Sequence, residues 1–177
     1  MIKKLLLLVL ALVAAFAIYV ALQPAEFRIV RTGKIAAPQA QVFEQVNSFN
    51  NWQQWSPWAK LDPNAKATFE GPQSGVGSAF AWSGNSEVGE GKMSIIASRP
   101  NDYIKMALDF TKPMQASNVA EFSFKPDGDG TEMTWAMSGT NNFIGRAMCL
   151  IFNADKMVGG QFEQGFANLN AVLAAKK

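Results

Sequence analysis

Residues 103–110 read Tyr-Ile-Lys-Met-Ala-Leu-Asp-Phe, and their alternation decides the fold. Ile104, Met106, Leu108 and Phe110 fall on one side of an extended chain, with Tyr103, Lys105, Ala107 and Asp109 on the other. Side chains of a strand point alternately to opposite faces, so this segment is predicted to be a strand with one apolar face. The same period recurs on both sides: Phe80 with Trp82, Met93 with Ile95, Ala120 with Phe122 and Phe124, and Met133 with Trp135 and Met137. Between these rows lie Ser83-Gly84-Asn85, Pro100-Asn101-Asp102 and Asp127-Gly128-Asp129-Gly130, all rich in turn formers. Consecutive strands joined by short turns make an antiparallel meander with one greasy face.

Towards the N-terminus, Phe27 to Ala36 reads as a first strand. Ala37-Pro38 opens a helical stretch in which Val42, Phe43 and Val46 share a face, and Ser48 to Trp58 is predicted to be short helix or irregular chain. Towards the C-terminus the period lengthens. Val158, Phe162, Phe166, Leu169 and Leu173 recur every three or four residues, an amphipathic helix running to Ala175. Gly159, Gly160 and Gly165 weaken it by up to about 1 kcal/mol each relative to Ala. Such losses are tolerable if the helix lies close against another surface, and an apolar sheet face needs a cover. The fold class expected is α+β.

The first 25 residues differ from the rest. Leu5 to Leu22 is apolar throughout apart from Tyr19, preceded by Lys3 and Lys4 and stopped by Gln23-Pro24. As a helix it would reach about 27 Å, close to the thickness of a bilayer's hydrocarbon core. Cleavage at Ala15-Phe16-Ala17 would leave an apolar stub from Ile18 to Leu22, which favours an uncleaved anchor over a signal peptide. Residues 1–25 are therefore read as an anchor and 26–177 as one domain. The two lysines favour a cytoplasmic N-end, against Arg28, Arg31 and Lys34 just after the span. The expected location is a bacterial inner (cytoplasmic) membrane, crossed once, with the domain on the periplasmic side.

Composition removes several functions. The chain has no histidine and one cysteine, so a Ser-His-Asp system, a His-ligated zinc and a disulfide are excluded in their usual forms. No metal or cofactor is expected. Cys149, between Met148 and Leu150, reads as a buried, inert thiol. Sixteen basic and 14 acidic residues give a net charge of +2, and the basic ones are dispersed along the chain, which lends a nucleic-acid role no footprint.

Phe49-x-x-Trp52-x-x-Trp55-Ser56-Pro57-Trp58 with Asp62-Pro63, Gly71-Pro72, Gly75-Val76-Gly77, Trp82-x-Gly84-Asn85 and Val88-Gly89-x-Gly91-x-Met93 resembles the polyketide cyclase/dehydrase-like branch of the SRPBCC superfamily. Asp155, Gly160 and Phe162-Glu163-x-Gly165 resemble the start of its closing helix. The resemblance covers Phe27 to Leu173. It implies a START-like helix-grip fold: a curved antiparallel sheet wrapped around a long C-terminal helix, with a cavity between them. The superfamily includes carriers, receptors and cyclases, so the fold does not choose among functions.

The apolar rows nominate the ligand-binding candidates: Trp82, Met93, Met106, Leu108, Phe122, Trp135 and Met137 from the strands, Phe162 and Phe166 from the helix, and Trp55 from the aromatic string. Trp52, Trp55 and Trp58 are either a gate or a structural plug. Gly89-Glu90-Gly91-Lys92 lacks a phosphate-loop spacing and reads as a turn or bulge. Glu163 is the best-placed carboxylate for acid–base work, although Gln161 and Gln164 beside it also suit a solvated flank; Asp155 reads as the helix start. No catalytic residue is assigned. The leading expectation is a membrane-anchored binding or carrier domain for a lipid, quinone or aromatic metabolite. The alternatives are a cyclase or isomerase using a carboxylate in an apolar pocket, and a protein-interaction module.

Overall fold

The computed structural model describes residues 1–175. Its elements are α1 (Ile2–Ala21), β1 (Glu26–Ile35), α2 (Gln39–Val46), α3 (Phe49–Trp55), a 3-10 turn (Trp58–Lys60), β2 (Lys66–Glu70), β3 (Ala79–Ser83), β4 (Glu90–Arg99), β5 (Tyr103–Lys112), β6 (Ala116–Asp127), β7 (Gly130–Thr140), α4 (Phe143–Phe152) and α5 (Ala154–Ala174). The strands form one antiparallel sheet in the order β1-β7-β6-β5-β4-β3-β2. The meander from β2 to β7 therefore keeps chain order, and β1 closes against the last strand. A register shift between Ile95 and Ala97 leaves Ile96 as the extra residue of a bulge in β4.

Alternation becomes burial as the sequence predicts. Ile104, Met106 and Leu108 are buried, as are Met93, Ile95, Phe122, Phe124, Met133 and Trp135. Two sets of helices cover that face. The short helices α2 and α3 cover the Ile95–Met106–Phe122 region, with Phe43 edge-on to Phe124 at 5.7 Å and Trp52 edge-on to Phe122 at 5.7 Å. Trp55 is fully buried, and its indole N–H donates to the Gln45 carbonyl at 3.1 Å.

The long helix α5 crosses over β1, and its glycines show how close it comes. A Cβ on Gly165 would stand 2.9 Å from Trp135, and the face of Gly159 is occupied by the Arg31 guanidinium. From the strand side, Gly33 makes room for the Phe166 ring. Gly160 meets nothing within 4 Å, so proximity does not account for it. Arg31 fastens the same helix to β1, pairing with Asp155 at 2.9 Å and Glu163 at 3.0 Å.

The helix α4 is absent from the sequence-based expectation and corrects the reading of Cys149. Asn142 caps it by accepting the Gly145 N–H at 2.8 Å, and no residue of α4 is buried. Cys149 is half-buried rather than in the core, with Asn141 Nδ2 donating to its sulfur at 3.4 Å. Asn153, in a left-handed conformation at φ 48°, ends α4 and caps α5 through the Lys156 N–H.

Candidate functional site

A cavity of about 330 Å³ opens between the sheet and its covers. Its floor is the inner face of β3 to β7, built from Phe80, Trp82, Met93, Leu108, Phe110, Ala120, Trp135 and Met137. The roof is Trp52 of α3, Trp58 and Ala59 of the 3-10 turn, and Val158 and Phe162 of α5. Alternation along the strands puts these floor residues on one side, and the change of period in α5 points Val158 and Phe162 back at them.

The rim is held by hydrogen bonds. Asp62 accepts from the Asn85 N–H at 2.7 Å and from the Asn64 N–H at 3.0 Å, so the segment after the 3-10 turn is tied to the β3–β4 turn. Within that turn, Asn85 Oδ1 accepts the Glu87 N–H at 2.9 Å, and the Trp82 indole donates to the Val88 carbonyl at 2.9 Å. Gly91 leaves room for the Trp82 ring, since a Cβ there would stand 2.6 Å from it. Gly89, at φ 64°, belongs to the turn, so the Gly89–Lys92 stretch is turn and strand start.

Of the candidates drawn from the sequence, Trp82, Met93, Leu108, Trp135, Met137 and Phe162 stand on the cavity wall. Trp55, Met106, Phe122 and Phe166 do not. They are buried in the packed region beside it, where Trp135 stacks on Phe162 at 4.2 Å and meets Phe122 at 5.0 Å. The tryptophan string divides in the same way: Trp52 and Trp58 reach the cavity, whereas Trp55 is internal. Phe80, Phe110, Ala120 and Val158 were not among the candidates, although Phe80 and Phe110 share strand rows with residues that were.

Carboxylates stay out of the apolar interior. Glu163 is exposed and paired with Arg31, and it forms no part of the cavity wall. Asp62 and Glu87 stand on the rim. The hydrogen bond and charge of Arg31 hold the Asp155 carboxyl below its usual range. On the opposite face of the sheet, Tyr103 donates to Glu121 at 2.5 Å, and Arg28 pairs with the same carboxylate at 2.9 Å. Burial, and then the bond to Glu121, push the Tyr103 hydroxyl up to about 12, while its partners lower Glu121. Among the described residues, no three His, Cys, Asp or Glu side chains gather where they could hold a metal ion.

The fold is shared with several solved structures. MLL2253 from Mesorhizobium loti aligns with a TM-score of 0.62 at 19% identity, over 85% of this chain and 99% of its own. Ms6760 from Mycobacterium smegmatis gives 0.58 at 15% identity, over 85% and 92%. DynU16, from the dynemicin biosynthetic locus, gives 0.59 at 12% identity, over 85% of this chain and 48% of its own. At such identities the likeness concerns the fold alone. No curated protein matches the sequence. The family described as polyketide cyclase / dehydrase and lipid transport matches residues 26–174, the strands and closing helix described above. The chain belongs to that family.

Proposed function

We propose that the domain is a receptacle for a hydrophobic small molecule, a lipid, quinone or aromatic metabolite, and that α1 tethers it to a membrane. The cavity carries this reading. Its volume of about 330 Å³ lies at the lower end of the range for small-molecule sites, roughly 300–1,000 Å³. Its wall is aromatic and aliphatic, with Met93 and Met137 as adaptable contacts. The family's description includes lipid transport, which agrees with a carrier. A cyclase or isomerase would use a carboxylate at the reacting atoms, and Glu163 is turned to Arg31 instead. The two carboxylates that border the cavity, Asp62 and Glu87, stand on its rim, with Asp62 engaged by the Asn64 and Asn85 N–H groups. Among the described residues one helix, Ile2–Ala21, is long and apolar enough to cross a membrane, a property that a signal sequence shares. The absence of a sound cleavage site favours an anchor, with the domain on the periplasmic side of an inner membrane.

Native mass spectrometry of the full-length protein, purified separately in two detergents, tests the cavity. The expected result is one small-molecule mass retained in both preparations and lost from a Val158→Trp variant that fills the roof. A wild-type protein carrying only detergent adducts, with the variant indistinguishable from it, would sink the carrier reading.

A further inference from the structure

We infer that α4 lies in the surface of the lipid bilayer and seats the domain on the membrane that α1 enters. Phe143, Ile144, Met148, Ile151 and Phe152 are all exposed on this helix, and beyond the charged Asp155 and Lys156, Met157 is exposed in the first turns of α5. A water-facing helix ordinarily carries charge on its outer side. From Phe143 to Ala154 the only charged residue is Arg146, and it does not face outward. Its Nη1 donates to the carbonyls of Ala21 and Gln23 at 3.0 and 3.2 Å, at the point where α1 ends. That joint fixes the height of α4. If α1 spans the bilayer, its last turn stands at the boundary between acyl chains and headgroups, and α4 is pinned there.

Length decides between lying and spanning. Ten residues make a helix of about 15 Å, half of the roughly 30 Å hydrocarbon core. Such a helix buries one apolar face in the boundary and does not cross. Lipid is the occupant that the neighbouring element selects, because α1 is itself exposed along nearly its whole length beside the patch. The seat also orients the site. Val158, which belongs to the cavity roof, lies in the first turns of α5, directly after α4 and the Asn153 joint, so a seated α4 holds the α5 end of the cavity near the membrane surface.

The inference rests on the anchoring proposed for α1, and the two are separable by experiment. Single cysteines at Ile151, at Leu12 in α1 and at Ser86 in the β3–β4 turn, each in full-length protein carrying Cys149→Ser, are spin-labelled in liposomes. Collision with oxygen, which concentrates in lipid, is compared with collision with a water-soluble nickel chelate. The label at residue 151 is expected to meet oxygen and be shielded from nickel, while that at 86 meets nickel freely. Nickel access at 151 equal to that at 86 would overturn the seat, whatever the result at 12. Shielding at 151 from both reagents would also overturn it, because protein would then cover the patch. The label at 12 reads the anchor by itself. A lipid signal at 151 without one at 12 keeps α4 at the bilayer surface but overturns the joint to a spanning α1 and, with it, the anchor.

Discussion

Met106 and Leu108 stand two positions apart on the same face of β5, yet they meet different surroundings. Met106 is fully buried between Ile95 and Ala120, whereas Leu108 borders the cavity. Met106→Ala should therefore cost about 2–5 kcal/mol, the loss expected for truncation in a packed core, whereas Leu108→Ala enlarges an existing space and should cost less. Urea denaturation of the two variants checks the order. The glycines of α5 offer an opposed pair. Gly165→Ala would press a methyl against Trp135 and should destabilise by about 1–3 kcal/mol despite the better helix former. Gly160→Ala meets open space and should stabilise by up to about 1 kcal/mol. Thermal melts of both variants would reveal an equal response if α5 were loosely held. Tyr103 gives a pH dependence. Its folded pKa of about 12 lies above the 10.0 of a free tyrosine, so its contribution is present below 10 and fades as pH rises through 12. Glu121 has the opposite sign, since its lowered pKa contributes above the ordinary carboxylate range and is lost on acidification through its folded value. Tyr103→Phe should flatten the alkaline limb of the stability–pH curve.

At the scale of elements, α1 makes the simplest prediction. The full chain should stay in the pellet after carbonate extraction, and a chain starting at Ala25 should not; a full chain released with its N-terminus trimmed near Ile18 would identify a signal sequence. The strands β3 to β7 and the helix α5 were legible through their periods, clearest as two in Ile104–Phe110 and three to four in Val158–Leu173. The helix α4 was not, because the five-residue run Ala147–Ile151 is unbroken in its apolarity, and so short a run taken alone shows no period. Burial was the natural reading of so apolar a run. Asn142 ahead of it was the available signal, a helix cap whose value depends on recognising the helix behind it. The cavity was legible only as a face. Alternation assigns Met106 and Leu108 to the same side, but it carries no information about how far along the strand α2 and α3 extend their cover.

At the scale of the molecule, the sheet has a solid half and a hollow half. Around Trp55, Phe122 and Phe166 the space is filled by rings, while over Met93, Leu108 and Met137 it is open. Stability is expected to concentrate in the first and adaptability in the second. The domain could then exchange one apolar guest for another without losing its fold. The placement of the indoles adds a practical consequence. Four of the five tryptophans, Trp52, Trp58, Trp82 and Trp135, touch the hollow half, and Trp55 alone is sealed in the solid one. The natural ultraviolet emission of the protein is thus weighted towards the cavity. A conjugated guest that absorbs where indole emits should dim it by energy transfer, Trp55 included because its ring lies 4.5 Å from Trp52 and 5.7 Å from Trp135, so the protein carries its own optical titration for finding what it holds.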